Sequence, residues 1–224
     1  MTAPAANIES ARLKVILATL VINIVAVVAF SFCPWSDWRT GMALNLFDNF
    51  ILIVFALRAR DRLMEHLLLF GIVLGFMELP ADAWLVDATK TLDYSIGGGP
   101  MLWRSPLWMP FAWEIVAVQF GYLGIRLWER FQFPGVLLTG LLGAVNIPFY
   151  EEMALRTRWW EYHNCRMILH TPYYIIFGEL LIAMAIARCA LRVRRERLAT
   201  TVAAGVIGGA AIFVSYVVAY MLVK

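Results

Sequence analysis

Apolar runs of spanning length alternate with short polar clusters along almost the whole chain, and the runs read as seven helices. Their approximate limits are Leu13–Phe32, Thr40–Leu57, Met64–Val86, Pro106–Ile125, Pro134–Tyr150, Thr171–Ala187 and Ala199–Val223. A helix needs about 17–25 mostly apolar residues to cross the hydrocarbon core of a bilayer. In lipid each backbone amide must find its partner inside its own segment, so the pattern predicts transmembrane helices. The first run is expected to be a span, not a cleaved signal, because it is long and no small-x-small cleavage site follows it. The predicted fold is all-α: a polytopic integral membrane bundle of seven transmembrane helices, one domain over residues 1–224, without internal repeat.

Composition agrees with this. The chain is 62% hydrophobic and only 16% charged, with a mean hydropathy of +0.72, which soluble domains of this size rarely approach. Its charges are divided by side. Arg12, Lys14, Arg58, Arg60, Arg62, Arg126, Arg130, Arg188, Arg192, Arg194, Arg195 and Arg197, 12 of the 19 basic residues, collect at one set of span ends. The positive-inside rule places that side in the cytoplasm, with the N-terminus in and the C-terminus out. No basic stripe with interleaved aromatics lies outside the spans, which argues against a nucleic-acid partner. Membrane lipid is the expected surrounding. Cys33, Cys165 and Cys189 lack metal-ligand spacing and are expected as free thiols, with a Cys33–Cys165 pairing as the alternative.

Eight of nine tryptophans fall toward the other, non-cytoplasmic side. An interfacial belt loads both faces, so this asymmetry predicts either an aromatic cavity in the outer half or one thick belt. Two substantial loops lie on that side. One, from Asp87 to Ser105, contains Gly97-Gly98-Gly99-Pro100, read as a mobile turn. The other, from Glu151 to His170, is rich in charge and aromatics, and both have the length of lids.

Five carboxylates fall inside predicted spans: Asp48, Glu78, Asp82, Glu114 and Glu179. Each costs about 2.5–3.5 kcal/mol at a helix centre, and no Lys or Arg within the spans offsets them. Such groups face a bundle interior, and each must be neutral or paired. At ~1.5 Å per residue, Glu78, Glu114 and Glu179 sit near one level, with Asp82 one turn further out than Glu78 on the same face. Asn45, Asp48 and Asn49 form a polar face on the second span. Pro80, and Pro148 beside Asn146, each remove a backbone donor at depth.

A neutral carboxylic acid beside aromatic faces can protonate an epoxide or alkene and steer the resulting carbocation, because ring faces attract cations. A second, ionised carboxylate can stabilise charge or take the final proton. Candidate substrate contacts are Asp48, Trp84, Trp108, Phe111, Trp113, Asn146, Tyr150, Tyr173 and Tyr174. No lysine lies in the last span as a retinal anchor, no histidine lies at depth for haem, and no Asp-rich metal motif is present. No cofactor and no metal are therefore expected.

Two stretches resemble membrane-bound isoprenoid cyclases. Phe111-Ala112-Trp113-Glu114 resembles the F-A-W-E stretch of the fungal membrane meroterpenoid cyclases, small seven-helix proteins that open an epoxide with acids on different helices. The stretch from Thr171-Pro172-Tyr173-Tyr174 to Gly178-Glu179 follows Trp159-Trp160-Glu161-Tyr162. It is similar in layout to the membrane lycopene cyclase domain. The resemblance implies a terpene cyclase of the isomerase or lyase type acting on a lipophilic isoprenoid. Glu114 and Glu179 are the principal acids, and Glu78 and Asp82 the next pair. Two other readings compete. A proton- or cation-coupled transporter would use the carboxylates as a relay, and a non-catalytic membrane subunit would tolerate their replacement by amides.

Overall fold

The structure, a computed structural model, describes residues 3–223. It contains seven long helices: α1 (Ala3–Ser31), α2 (Trp38–Ala59), α3 (Arg62–Ala83), α4 (Met109–Phe131), α5 (Phe133–Arg156), α6 (Tyr173–Val193) and α7 (Leu198–Val223). Each coincides with one predicted run. All but α4 are long and apolar enough to cross a membrane. The exception carries Glu114, Gln119 and Arg126 within its length. It also packs against α1, α2, α3, α5 and α6, so protein surrounds much of its polar surface.

Local chemistry sets the ends. Asp37 caps α2 by accepting the Arg39 amide at 2.8 Å, and Asp61 caps α3 by accepting the Met64 amide at 3.2 Å. Both satisfy amides that a helix start leaves open. Pro110 and Pro134 occupy the first turns of α4 and α5, where a missing N–H costs nothing. The links at residues 60–61, 132 and 194–197 are short, so the chain folds back at once. Helix approach is close where glycine permits it. A Cβ on Gly71 would meet the Glu114 backbone, one on Gly75 would collide with the Pro110 carbonyl, and Gly205, Gly208 and Gly209 seat α7 on Val73, Leu74 and Met77. The small residues of α7 thus serve close packing.

Only α1 is loosely held. Its firmest polar tie is at the basic end, where Arg12 donates two bonds to Asp61, from Nε at 2.6 Å and from a terminal nitrogen at 2.8 Å. Asp61 is almost fully buried, and the guanidinium also lies 5.7 Å from the centre of the Tyr122 ring. Removing one partner of a buried pair leaves an uncompensated charge at a cost of about 3–5 kcal/mol. Arg12→Ala is therefore expected to lower the thermal midpoint of the purified protein clearly, whereas Arg58→Ala, a substitution on the exposed α2 end, leaves it near wild type.

The opposite end is roofed. Trp84–Thr89 continues α3 as a π-helical turn. Three two-stranded pairings follow: β1 (Leu92–Asp93) with β4 (Glu161–Tyr162), β2 (Met101–Leu102) with β3 (Ser105–Pro106), and β5 (Met167–Ile168) with β6 (Thr171–Pro172). The β1–β4 ladder joins the two long loops to each other. Trp159 Nε1 pins them to α2 by donating to the Asp37 carbonyl at 3.1 Å and to Thr40 Oγ1 at 3.0 Å. The Gly97–Pro100 stretch is not a free turn. Gly98 and Gly99 take φ of +65° and +90°, and a Cβ on Gly99 would run into the Trp38 ring. Gly97 lies against the Arg158 carbonyl. Glycine is required there by backbone conformation and close packing. Cys33, Cys165 and Cys189 are free thiols.

Candidate active site

Beneath the roof lies a cavity of about 720 Å³, within the range of small-molecule sites. Its walls come from α1, α4 and α5, with the roof loops and single residues of α2, α3, α6 and α7 completing the roofed end. Trp108, Trp159 and Trp160 form the ceiling, with ring centres 5.5 to 6.2 Å apart. The aromatic cavity expected from the tryptophan asymmetry is therefore present, but it is covered. Trp35 and Trp103 lie exposed outside it.

Three carboxylates from three helices face this chamber: Asp82 (α3), Glu151 (α5) and Glu179 (α6). Each is held by aromatic or hydroxyl donors. Asp82 Oδ2 accepts from the Tyr94 hydroxyl at 2.7 Å and from Ser105 Oγ at 2.6 Å. Glu151 accepts from Trp160 Nε1 at 2.6 Å and from the Tyr162 hydroxyl at 3.3 Å. Glu179 Oε1 accepts from the Tyr216 hydroxyl at 2.7 Å. Glu151 lies within electrostatic range of both Glu179 and Asp82. Arg126 is the one basic residue among the described residues that line the cavity, and it sits at the far end of the wall.

Glu78 stands behind Asp82, one turn earlier on α3. It is fully buried and within electrostatic range of both Asp82 and Glu179. Neither of its oxygens accepts a bond from an N–H or hydroxyl donor among the described residues, but the Asp82 carboxyl is close enough to share a proton with it. The Trp113 indole is near but does not close a bond of good geometry. Pro80 sits between the two acids inside α3, and the π-helical turn follows within one turn of Asp82. Such irregularities are frequent at functional sites.

Two other predicted acids stand apart. Glu114 is buried but is not part of the cavity wall. It projects from the α4 face that packs on Gly71 of α3. Asp48 accepts from Asn23 of α1 at 3.2 Å and lies within electrostatic range of Tyr150, also outside the wall. Of the predicted substrate contacts, Trp108, Trp113, Asn146 and Tyr150 line the cavity. Phe111 offers only its carbonyl, to Asn49 at 2.9 Å. Trp84 packs edge-on against Phe213 and Tyr220. Tyr174 is a strut, its hydroxyl 2.7 Å from Thr91 Oγ1, and Tyr173 is exposed. The structure adds Glu151, Tyr94, Ser105, Trp160, Tyr162 and Tyr216 to the site. Of these, Tyr216 comes from α7.

The roof phenols are fixed in their donor state. Burial, then the nearby Asp82 and Glu78 carboxyls, hold Tyr94 well above the usual tyrosine range. Burial, then Glu151, does the same for Tyr162. Both remain O–H donors at any physiological pH. Since the folded state keeps protons that the unfolded chain releases near pH ~10, stability falls as pH rises above that value. Ultraviolet titration is expected to show these two phenols ionising only together with unfolding. In Tyr94→Phe the number of such groups falls by one.

A model of the family described as a domain of unknown function (DUF6989) matches residues 79–223, more than half of the chain. The chain belongs to the DUF6989 family. No curated protein matches it, and no solved structure does. The DUF6989 region contains Asp82, Glu151 and Glu179 together with Tyr94, Ser105, Trp160, Tyr162 and Tyr216, so the acids and the donors that hold them form one unit. The α1 wall and α2 lie before it. Among the described residues, no group of three or more His, Cys, Asp or Glu side chains is arranged to hold a metal ion.

Proposed function

We propose that this DUF6989 protein is a seven-span integral membrane enzyme that cyclises a lipophilic isoprenoid by carboxylic-acid protonation, without a metal. The basic span ends face the cytoplasm, and the roof and the C-terminal end of α7 face the other side. α4 crosses with the others: it has 23 residues, about 34 Å at ~1.5 Å per residue, and its neighbours shield it from lipid.

The observation that carries the reading is the meeting of Asp82, Glu151 and Glu179 from three helices in one roofed, aromatic-lined cavity with no cation beside them. Three buried acids with no counter-charge cannot all be ionised without large cost, so the site favours at least one neutral acid able to donate. The reaction is balanced internally. A carboxyl proton adds to an epoxide oxygen, opening one C–O bond, or to an olefin carbon. The π electrons of a second double bond close a ring on the cationic carbon. A carboxylate then takes a proton from the neighbouring carbon, which restores a double bond and leaves an isomer of the substrate. Trp108, Trp113 and Trp160 offer ring faces to the transient cation. The likeness in layout of the stretch ending at Gly178-Glu179 to the membrane lycopene cyclase domain supports the same chemistry, whereas Glu114 of the Phe111-Ala112-Trp113-Glu114 stretch lies off the cavity wall. Asp82, Glu151 and Glu179 take the reacting roles, and Glu78 positions Asp82.

Expression in a host supplied with defined polyprenyl precursors, followed by mass spectrometry of extracted lipids, tests this. A new isomer of a supplied precursor is expected. Precursors recovered unchanged throughout the panel would sink the proposal.

A further inference from the structure

The cavity wall is not uniform along its length. Its acids and tryptophans are concentrated under the roof. Below them the lining turns aliphatic, with Leu13, Leu17 and Leu20 of α1 facing Leu142 and Val145 of α5. The lining follows one stripe of α4 from Met109 to Arg126, about 25 Å at ~1.5 Å per residue. That is most of the ~30 Å thickness of a bilayer core. The shape is a long channel with a reactive end and a greasy barrel.

The side of the barrel is open. Leu17 is 47% exposed and Val145 77%, yet both line the cavity. Leu13 and Leu142 behave the same way. Residues that face both the interior and the surroundings, on two facing helices, mark a gap between α1 and α5. The roof, by contrast, is shut: Trp108 and Trp159 are 2% and 5% exposed, and the ladder above them is pinned to α2.

The far end offers a head-group site. Arg126 pairs with Glu9 and Glu129, and both pairs use the same terminal nitrogen. A guanidinium has five N–H donors, more than these two pairs take up. Gln119 and Tyr122 line the wall beside it.

From this we infer that the ligand is a single-chain lipid with an acidic head. It enters from the bilayer between α1 and α5 and lies along α4. Its head is at Arg126, on the basic side, and its apolar tip is under the roof among Asp82, Glu151 and Glu179. The inference rests on the cavity being a substrate site and adds the substrate's class, orientation and route. The reacting group is then at the end of the chain remote from the head, and an acidic head with a chain too short to reach from Arg126 to Trp108 is not turned over.

Photolabelling tests this without turnover. The probes are a long-chain fatty acid with a diazirine at its tip, the same acid with the diazirine next to the head, and a phosphate monoester and an uncharged alcohol with the tip-labelled chain. With purified protein in lipid nanodiscs, the tip probe is expected to mark 108–116 and 159–162, and the head probe 119–126 and 13–17. Leu142→Trp and Val145→Trp block the gap from outward-facing positions. They are expected to cut all labelling about tenfold, the factor given by 1.4 kcal/mol of lost binding, with an unchanged melting midpoint; Val214→Trp, on the exposed face of α7 away from the cavity, keeps the labelling. Arg126→Gln is expected to weaken the acid and the phosphate by a similar factor but not the alcohol. A larger loss with one acidic head tells carboxylate from phosphate, and either supports the site. Reversed labelling of the two ends, or undiminished labelling in both Trp variants, overturns the proposal, as does equal loss of the alcohol in Arg126→Gln. Glu179→Gln separates this from the chemistry: labelling persists there even when product is lost.

Discussion

Glu179→Gln is expected to lower product formation by about 10²–10⁴-fold, the range that a positioned proton donor or acceptor contributes, while the protein remains folded. The reason lies in its surroundings. Glu179 accepts one hydrogen bond, from Tyr216 at 2.7 Å, and a glutamine can still accept it through its carbonyl oxygen. The substitution thus removes the transferable proton and the charge but preserves volume and bonding. Glu151→Gln is a less clean change. Both Glu151 oxygens accept, from Trp160 and Tyr162, so an amide nitrogen would face a donor and cost about 1–3 kcal/mol of stability as well. Glu114→Gln is expected to leave turnover within a small factor of wild type, because Glu114 is off the cavity wall. Turnover and melting midpoint measured side by side check all three. Full activity in Glu179→Gln would remove that residue from the mechanism.

Glu78→Leu is expected to stabilise the protein and slow it. A fully buried carboxyl that no N–H or hydroxyl donor reaches, and whose polar neighbour is another acid, recovers little of its desolvation cost. An apolar residue of similar size relieves about 1–3 kcal/mol. The midpoint should therefore rise. Activity should fall, because Glu78 is the acid next to Asp82 and sets its charge environment. The diagnostic is the pH–rate profile. Loss of a neighbouring acid displaces the limb governed by Asp82, whereas a purely structural role for Glu78 would leave the profile in place. Glu78→Gln, which keeps a polar neighbour for Asp82, should show a smaller displacement. A lowered midpoint with an unmoved profile in Glu78→Leu would contradict this role.

The helices were legible because lipid-facing segments must be long and apolar, and each of the seven runs overlaps one helix. Depth within a run was legible too, and it singled out Asp82 and Glu179. Helical phase was harder to use. The cavity face of α4 is the stripe through Met109, Ala112, Trp113, Val116, Gln119 and Leu123. Glu114 falls off that stripe and meets α3. Depth alone could not distinguish the two faces, although the glycines at 71 and 75 hinted at a tight α3 contact.

Glu151 was assigned to a loop because apolarity ends at Tyr150, yet α5 runs on to Arg156. A signal for the longer helix was present. Glu152 and Arg156 stand four apart in the order that favours a helical ion pair, and they form one at 2.8 Å. Tyr94 and Ser105 reach Asp82 only through the fold of the roof, a long-range arrangement that no local pattern encodes. Tyr216 in an apolar, glycine-bearing helix looks like packing until α6 is set beside it.

Purified protein in liposomes, given a polyprenyl epoxide or its parent olefin, offers the most direct measurement of whether acids gathered under the roof close a ring. The expected product has the substrate's mass, and exhaustive hydrogenation shows one fewer double bond for each ring formed from the olefin, and, from the epoxide, one fewer for each ring after the first, whose closure is balanced by the opened oxirane. Its formation depends on Glu179. Substrate recovered unaltered, together with proton uptake into the liposomes in its absence, would contradict the account and identify the carboxylates as a relay.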